Sequence, residues 1–250
     1  MEMEFFVPPD EAPGWYEEWK RLRLDWYIDL GIRPDYLRLR EHDAEELSHY
    51  SSGTSDIEYL FPIGWSELEG IANRGAFDLT QHAKFSGEKL EYFDTATGER
   101  YVPHVIEPAA GADRATLAFL VDAYDEEEVA GEQRTVLKLH PRLAPVKVAV
   151  LPLVKKDGQP ERAREAYQLL RGAMQAEYDE GGSIGRRYRR QDEIGTPYCV
   201  TIDHQTLEDD TVTVRDRDSL EQERVAIAEL PAVLSARLAQ PWRSPKLAAV

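Results

Sequence analysis

The sequence predicts two domains in series, a mixed α+β domain built on a largely antiparallel sheet and then an α/β domain. Candidate strands in residues 1–137 do not alternate regularly with helices, which favours antiparallel pairing. Candidate strands after residue 138 do alternate with helices, as in α/β sandwiches. With 250 residues and 42% apolar composition, the chain is long enough to give each domain its own core.

The first domain opens with an alternating segment that predicts a strand. In Met1–Val7, Glu2 and Glu4 fall on one face, and Met3 and Phe5 fall on the other. Two prolines then end the segment.

A helix is predicted next, over Trp15–Leu30, because bulky residues recur there at helical spacing and Gly31 follows. We interpret its aromatic stripe as core packing. Further strands are predicted at Tyr36–Arg40, Ile57–Leu60, Trp65–Glu69 and His104–Glu107. Further helices are predicted near Asp43–Tyr50, Leu79–Phe85 and Ala112–Tyr124.

A domain junction is predicted between the acidic run Asp125–Glu128 and the proline-containing run His140–Pro145. The second domain is predicted to occupy residues 138–240. Residues 241–250 are predicted to form a flexible tail, in which Trp242 could dock on the surface of the second domain. The predicted strands of this domain are Val146–Leu153, Ala176–Tyr178, Tyr198–Ile202, Thr211–Arg215 and Arg224–Ile227. Its predicted helices are Glu161–Leu170, Ser183–Glu193 and Ala228–Leu238.

The charge is strongly acidic overall, at −17, but it is unevenly distributed. Residues 1–133 hold 11 Lys and Arg against 30 Asp and Glu, whereas residues 134–250 hold 19 against 17. A uniformly acidic protein would repel phosphate, but the second part of this chain is not acidic. The asymmetry indicates different partners for the two parts, and a solvated acidic surface is the alternative interpretation of the first.

Several classes of protein are disfavoured by what the sequence lacks. No run of 18 apolar residues is present, and the acidic start is unlike a signal peptide, so we expect a cytoplasmic protein without a membrane partner. The single cysteine, Cys199, excludes an internal disulfide and is interpreted as a buried strand residue. No zinc site is expected, because no recognised ligand spacing links the histidines His42, His49, His82, His104, His140 and His204.

The segment Val105–Leu120 carries small residues where a predicted strand ends and a helix begins. Small residues let a ligand approach the backbone, and free N–H groups at a helix start attract anions. Arg114, in the first turn, could cover a planar base or pair with phosphate. Similar junctions occur in many folds, so the spacing alone leaves nucleotide binding and a purely structural junction both open.

With its flanks, this segment resembles the third signature motif of class II aminoacyl-tRNA synthetases in its glycyl form, through Ile106-Glu107-Pro108, Gly111 and Asp113-Arg114. Residues 38–42, 47–59, 64–74 and 78–82 also look like bacterial glycyl-tRNA synthetase. Residues 137–145 and 185–197 resemble the anticodon-binding domain shared by several class II enzymes. The resemblance covers nearly all of the chain except the tail.

The resemblance implies a fold, an activity and partners. Residues 1–137 would be the C-terminal part of a class II catalytic domain, and residues 138–240 an anticodon-binding domain. The expected activity is that of a glycine–tRNA ligase, which uses ATP with Mg²⁺ to form glycyl-adenylate and then transfers glycine to tRNA(Gly). Enzymes of the family are homodimers.

The resemblance also implies site residues in the first domain. Two family glutamates that bind the ammonium group of glycine align with Glu2 and Glu107, although Glu2 could equally be a solvated acid. The glycine site would comprise Glu2, Glu107, Pro108, Ala109, Ala110 and Gly111. The ATP site would comprise Glu67, Leu68, Gly111, Ala112, Asp113 and Arg114.

Three further residues are weaker candidates for the ATP site: Trp65, Glu69 and Arg74. Alternation predicts that Trp65, Glu67 and Glu69 share one strand face. A carboxylate there, Glu67 above all, could hold the Mg²⁺ that accompanies ATP, while the protein alone would hold no metal. Arg74 could equally form a surface ion pair.

In the second domain the basic cluster Arg186, Arg187, Tyr188, Arg189 and Arg190 is the candidate tRNA-binding site. Four guanidinium groups around one aromatic ring can meet backbone phosphates and an unstacked base. The alternative is an exposed helix whose arginines pair with its own Asp192 and Glu193.

The sequence departs from the family pattern in two places. Met1 aligns just after the second class II motif, so the first motif with its dimer contacts and the ATP-gripping arginine of the second are expected to be absent. This predicts a truncated portion that cannot activate glycine alone, and the alternative is a non-catalytic tRNA-binding module that retains a catalytic-domain remnant. In addition, Ala109 stands where the commoner family form has serine.

Overall fold

The computed structural model describes residues 1–43, 45–47 and 51–247. Ser48, His49 and Tyr50 therefore lie outside the described residues, and with residue 44 they make up half of the helix predicted near Asp43–Tyr50. The chain divides into two compact units, Met1–Asp122 and Ala123–Val250. The domain boundary predicted at residue 137 lies within the second unit.

The first unit is built on a five-stranded sheet in which every neighbouring pair of strands is antiparallel, as predicted. The strand order is β1-β7-β4-β3-β2, and the two remaining strands, β5 and β6, form a separate short hairpin. The strands are β1 (Phe5–Val7), β2 (Leu37–Glu41), β3 (Gly53–Phe61), β4 (Gly64–Gly75), β5 (Tyr92–Phe93), β6 (Arg100–Tyr101) and β7 (His104–Ala110).

Among its described residues, this part of the chain has three α-helices, α1 (Ala12–Asp29), α2 (Phe77–Ser86) and α3 (Ala112–Ala123). The Trp15 and Trp19 end of the aromatic stripe of α1 packs against the sheet, as its spacing predicts, whereas Leu22 and Trp26 of the same stripe are each 38% exposed. The Phe5 ring of β1 lies 4.8 Å from the Trp15 ring and 5.4 Å from the Trp19 ring, both edge to face. One face of the sheet is therefore buried beneath helices, and the other face is polar.

Two β-bulges in β4 decide which of its side chains reach the polar face. Ile57 and Glu58, which are consecutive on β3, pair with Glu69 and Glu67, so Leu68 has no partner. Farther along, Asn73 and Gly75 pair with consecutive residues of β7, so Arg74 is also an extra residue. Such bulges re-aim side chains and interrupt the simple alternation of a strand.

The second unit begins with an antiparallel hairpin of β8 (Tyr124–Val129) and β9 (Glu132–Leu137). The acidic run, predicted to border a domain junction, is thus part of a regular strand that the sequence analysis did not predict. Acidic side chains of β8 meet basic side chains of β9 and of the residue that follows it: Asp125 and Glu127 both lie 2.8 Å from the Lys138 ammonium, and Arg134 of β9 also pairs with Glu127.

A five-stranded mixed sheet follows, in the order β11-β10-β12-β13-β14. β10 pairs parallel with β11 and β12, and the remaining pairs are antiparallel. The strands are β10 (Val148–Pro152), β11 (Ala176–Tyr178), β12 (Tyr198–Ile202), β13 (Thr211–Asp216) and β14 (Gln222–Ala226). The helices are α4 (Gln159–Arg171), α5 (Ile184–Glu193), α6 (Thr206–Asp209) and α7 (Leu230–Leu238). Strands and helices alternate in the predicted manner.

The described part of the predicted flexible tail is docked. The Trp242 indole donates to Asp218 Oδ2 at 3.0 Å, and its ring lies 5.1 Å from the His140 ring. Ser244 is only 4% exposed. Packing of the indole thus fixes residues 241–247, whereas residues 248–250 lie outside the described residues.

Cys199 is buried in β12, and burial raises the pKa of its thiol to about 12. Its interpretation as a buried strand residue is confirmed. Within the described residues, no helix is both long enough and apolar enough to cross a bilayer.

Candidate functional site

The polar face of the first sheet gathers charged side chains around a floor of small residues. Register places Gly70 opposite Ala109 and Ala72 opposite Glu107, so these four residues lie together on β4 and β7. Asp56, opposite Gly70, and Glu58, opposite Glu67, extend the same face across β3. Three of these residues, Gly70, Ala72 and Ala109, carry nothing larger than a methyl group and form a floor of small residues beside Glu107.

At one side of this floor lies a cluster of three carboxylates and one guanidinium. Arg74 Nη1 donates to Glu107 Oε2 at 2.7 Å, and Arg74 Nε donates to Asp78 Oδ2 at 2.6 Å. Hydrogen bonds from Arg74 hold the pKa of Asp78 below its usual value. Burial and the neighbouring Glu107 carboxylate raise the pKa of Glu4. The excess of acidic groups makes this a place where a further cation would be stabilised.

Glu4, rather than Glu2, is the partner of Glu107 in this cluster. The pairing of Phe5 with Ile106, and the bridge between Glu2 and Ala109, place Glu4 directly across from Glu107. Glu2 lies two pairs farther along, on the same face and exposed. Glu4 was absent from the predicted site residues, although the alternation that placed it beside Glu2 was already visible in the sequence.

Arg74 forms an ion pair with two acids, which is the alternative that its sequence left open. Its bulge position in β4 carries the guanidinium over to Glu107, which belongs to the neighbouring strand. A role in holding Glu107 in place follows directly from these contacts.

The strand-to-helix junction lies where the sequence predicts it, with β7 ending at Ala110 and α3 starting at Ala112. Arg114, on the first turn of α3, donates to Ser66 Oγ at 2.5 Å and also to the main-chain oxygen of Glu67. It therefore brings the predicted ATP residues of α3 and β4 together. Glu107, Ala109 and Ala110 lie on the adjoining strand, while Pro108 pairs with the core residue Ile71.

Glu67 and Glu69 lie on opposite faces of the sheet, which corrects the prediction that they share one. Their β3 partners, Glu58 and Ile57, are consecutive and therefore point in opposite directions. Glu69 is 1% exposed beneath the sheet, where it accepts hydrogen bonds from Arg23 at 2.6 Å. The Tyr27 hydroxyl also donates to Glu69, at 2.8 Å.

The other two predicted residues of β4 differ in what they could offer a nucleotide. Leu68 is 2% exposed, and its side chain belongs to the hydrophobic core, so only its backbone could contact a ligand. The Trp65 ring is stacked under the Arg38 guanidinium at 4.3 Å, and Arg38 in turn bonds Glu58 at 2.6 Å.

The basic cluster of α5 is divided between the surface and the interior. Arg187 is 1% exposed and donates to the main-chain oxygens of Pro152, Leu153 and Gly182, so it cannot meet a phosphate. This corrects its assignment to the tRNA-binding set. Burial also lowers the pKa of Arg187.

The remaining members of the cluster have different partners. Arg190 donates to Asp179 Oδ2 at 3.0 Å and to the Gly181 oxygen at 2.6 Å. The Tyr188 hydroxyl shares a hydrogen bond of 2.6 Å with Thr201 Oγ1, and burial raises the pKa of Tyr188. Arg186 is exposed.

Asp192, the suggested internal partner of these arginines, instead has partners outside α5. It is fully buried and binds Arg134 at 2.8 Å and Arg215 at 3.0 Å. Arg215 in turn lies 4.8 Å above the Tyr188 ring. The inner face of α5 is thus fixed by a buried ionic network, and Arg186 and Arg189 remain toward solvent.

Metal binding by the protein alone finds no support in the described part of the chain. Nowhere in it do three or more His, Cys, Asp or Glu side chains come together in a way that could hold a metal ion.

Comparison with known proteins supplies relationships for both units. Residues 147–237 match the family model described as an anticodon binding domain. The chain is 58% identical to the glycine–tRNA ligase of Ruminiclostridium cellulolyticum over 93% of its own length and 50% of that protein. A second relative named glycine–tRNA ligase, from Caldanaerobacter subterraneus, is 56% identical over 95% of this chain and 51% of the relative. A third, from Mycolicibacterium vanbaalenii, is 56% identical over 95% of this chain and 53% of the relative. The chain spans about half the length of the curated relatives it matches.

Proposed function

We propose that this chain, which is homologous to about half of a glycine–tRNA ligase, supplies part of the amino-acid and ATP site of such an enzyme together with its tRNA-binding domain. The first unit would then be part of a class II catalytic domain. The observation that carries this proposal is the cluster of Glu4, Arg74, Asp78 and Glu107 beside a floor of small residues. The names of the relatives and the matched anticodon-binding domain support it.

Glycine fits this part of the molecule by charge and by size. Glu107, with Glu2 and Glu4 on the neighbouring strand, would accept hydrogen bonds from the ammonium group of the substrate. Arg74 would keep Glu107 oriented while leaving the cluster with an excess of negative charge. The small Ala109 side chain on the polar face, with the backbone of Ala110 and Gly111, would leave space for glycine, and walls close to its Cα would reject larger amino acids by collision.

ATP fits the adjoining region. Arg114 would turn from Ser66 toward the nucleotide, and the backbone from Gly111 to Asp113 would accommodate it at the start of α3. The Glu67 carboxylate and the Leu68 backbone would contact the same ligand. Glu67 lies on the polar face near Asp56, because both carboxylates approach Gly70. A Cβ atom built on Gly70 would lie 3.7 Å from Glu67 Oε1 and 3.8 Å from Asp56 Oδ1. Mg²⁺ entering with ATP would neutralise charge on the triphosphate there.

The reaction proposed is attack of the glycine carboxylate on the α-phosphorus of ATP, with release of pyrophosphate, followed by transfer of the glycyl group to tRNA(Gly). No protein nucleophile takes part. The residues described above would bind and orient the two substrates, and positioning and electrostatic stabilisation would supply most of the rate.

Ligand-dependent thermal stability of the 250-residue chain tests the substrate site. Glycine and ATP–Mg²⁺ together should raise the melting temperature. Glu107→Gln should weaken glycine binding by at least about tenfold, because the ammonium group loses a charged acceptor. Glu88→Gln is the matched control, since it removes the same charge from an exposed position outside the cluster.

Two further measurements separate the complete activity from binding. Glycine-dependent pyrophosphate exchange should be absent from the chain alone, and robust exchange would contradict the view that it is part of a site. Tight binding of tRNA(Gly) without any protection by glycine and ATP would instead identify a non-catalytic tRNA-binding module, the alternative that the matched anticodon-binding domain favours.

A further inference from the structure

A groove of about 440 Å³ lies between α5 and the turn of the β8–β9 hairpin. Its walls carry three guanidinium groups and one carboxylate, which gives the groove a net positive charge. The charged side chains are Arg186, Arg189, Arg215 and Glu132. Ser183, Gly185 and Tyr188 complete the lining.

The three arginines differ in how firmly they are held. Both nitrogens of the Arg215 fork contact the buried Asp192 carboxylate, at 3.0 and 3.2 Å, so this guanidinium is fixed in the wall. Arg186 is exposed and has no carboxylate partner within the described residues. Arg189 has one ionic partner there, the Glu132 carboxylate at 3.4 Å.

The ion pair between Arg189 and Glu132 is weakly held. The Glu132 side chain is 79% exposed and sits at the start of β9, beyond the tight turn of Ala130 and Gly131. Exposed pairs of this kind contribute at most about 1 kcal/mol, because water solvates both partners. A phosphodiester can therefore replace Glu132 at Arg189 at little cost.

We propose that Glu132 is a built-in competitor that occupies the phosphate position of this groove until a nucleic-acid phosphate displaces it. This inference rests on the proposed tRNA-binding function of the second unit. Arg186 and Arg189 would bind the incoming phosphates, and the Arg215–Tyr188 stack forms a fixed wall. The competing carboxylate lies outside the matched anticodon-binding domain, so the preceding hairpin regulates that domain's affinity.

The competitor would also sharpen the choice of partner. Isolated phosphate groups must displace Glu132 and gain only one contact, whereas an RNA backbone reaches Arg186 and Arg189 at once. Because the competition is electrostatic, it should weaken as salt screens both ion pairs.

The test compares the affinity of the full chain for a tRNA(Gly) transcript with that of Glu132→Gln at low salt. The variant should bind about two- to fivefold more tightly, which corresponds to loss of one exposed ion pair. Glu128→Gln is the matched control, because it removes the same charge from an exposed position on the same hairpin that does not line the groove. It should change the affinity much less.

A double-mutant cycle with Arg189→Gln assigns the gain to the competition. In the Arg189→Gln background, Glu132→Gln should bring no more gain than Glu128→Gln does. Equal effects of the two glutamate variants in the wild-type background, or a gain that persists without Arg189, would overturn the inference while leaving tRNA binding intact. Failure of the unmodified chain to bind the transcript would overturn the proposed function and this inference together.

Discussion

Gly195 occupies a position that no other residue fits well. Its φ angle is +79°, and a Cβ atom there would lie 2.9 Å from the Leu137 main-chain oxygen and 3.1 Å from Leu139 Cδ1. Gly195→Ala should therefore lower the free energy of unfolding by about 2 kcal/mol or more, through backbone strain and collision together. Urea denaturation would measure the loss.

Gly185→Ala provides the matched control for that substitution. Gly185 lies within α5, and nothing is within 4 Å of the place where its Cβ would stand. The same change should be neutral or stabilise the protein by up to about 1 kcal/mol. Equal losses at the two glycines would show that the close approach to Leu137 has no energetic weight.

The acids on either side of the first bulge provide a second prediction for single residues. Glu69→Gln should destabilise the protein by roughly 2 to 4 kcal/mol, because Arg23 then lacks its charged partner under the sheet. Glu67→Gln, on the exposed face, should change stability by less than about 0.5 kcal/mol. Calorimetry would compare the two variants, and a large loss for Glu67→Gln would contradict the assigned faces.

Helices and strands were predicted correctly where the pattern that defines them is formed by residues close together in the chain. Helical spacing in α1 and the strand-to-helix junction at Ala110 and Ala112 were both visible from neighbouring residues. The opposite directions of Glu67 and Glu69 were not visible, because the bulge at Leu68 exists only in the pairing of β4 with β3.

Two features of the second unit were missed because distant partners determine them. The strand β8 was not predicted, because the basic partners of its acidic side chains, Lys138 among them, are farther along the chain. The helix spacing of α5 likewise could not reveal that Arg187 is buried, since its acceptors come from residues 152, 153 and 182. The roles of individual site residues remain predictions.

Docking of the tail should depend on pH through Asp218. Burial acts to raise the pKa of this carboxyl group, but the hydrogen bonds and charge of Arg217, with the Trp242 indole, outweigh burial and lower it. A depressed carboxyl pKa stabilises the folded form above the usual value of 3.8, and the contribution, including the part from Trp242 that is linked to docking, is lost as pH falls through the lower folded value. The tail should therefore release only below about pH 3.8.

The indole N–H resonance of Trp242 in NMR spectra would follow this release. Asp218→Asn should abolish the acid-dependent shift, because the amide does not titrate. The Trp19 resonance serves as an internal control, since that buried indole N–H has no hydrogen-bond partner among the described residues and its ring packs against Phe5. A Trp242 transition that survives in the variant would assign the pH dependence to another group.

For the whole molecule, net charge is a poor guide to nucleic-acid binding, because −17 coexists with a basic groove. Only Arg186 and Arg189 of the α5 cluster remain available to phosphates there, since Arg187 is buried and Arg190 is held by Asp179. Each contact with a single-stranded phosphate contributes about 0.7 to the salt dependence of binding. For the anticodon stem-loop of tRNA(Gly), two such contacts predict that the logarithm of the affinity falls with the logarithm of the salt concentration with a slope of about 1.4. Four available arginines would give about 2.8.

Single substitutions should resolve that slope into its parts. Arg186→Gln should reduce it by about 0.7, because one phosphate contact and its released counterion are lost. Arg171→Gln, which removes the same charge from an exposed site in the last turn of α4, should leave the slope unchanged and lower the affinity only slightly. Fluorescence anisotropy across a salt series would measure both. Equal reductions would mean that the protein's overall field, and not contact in the groove, attracts the RNA, whereas a reduction confined to Arg186→Gln locates the contact on α5.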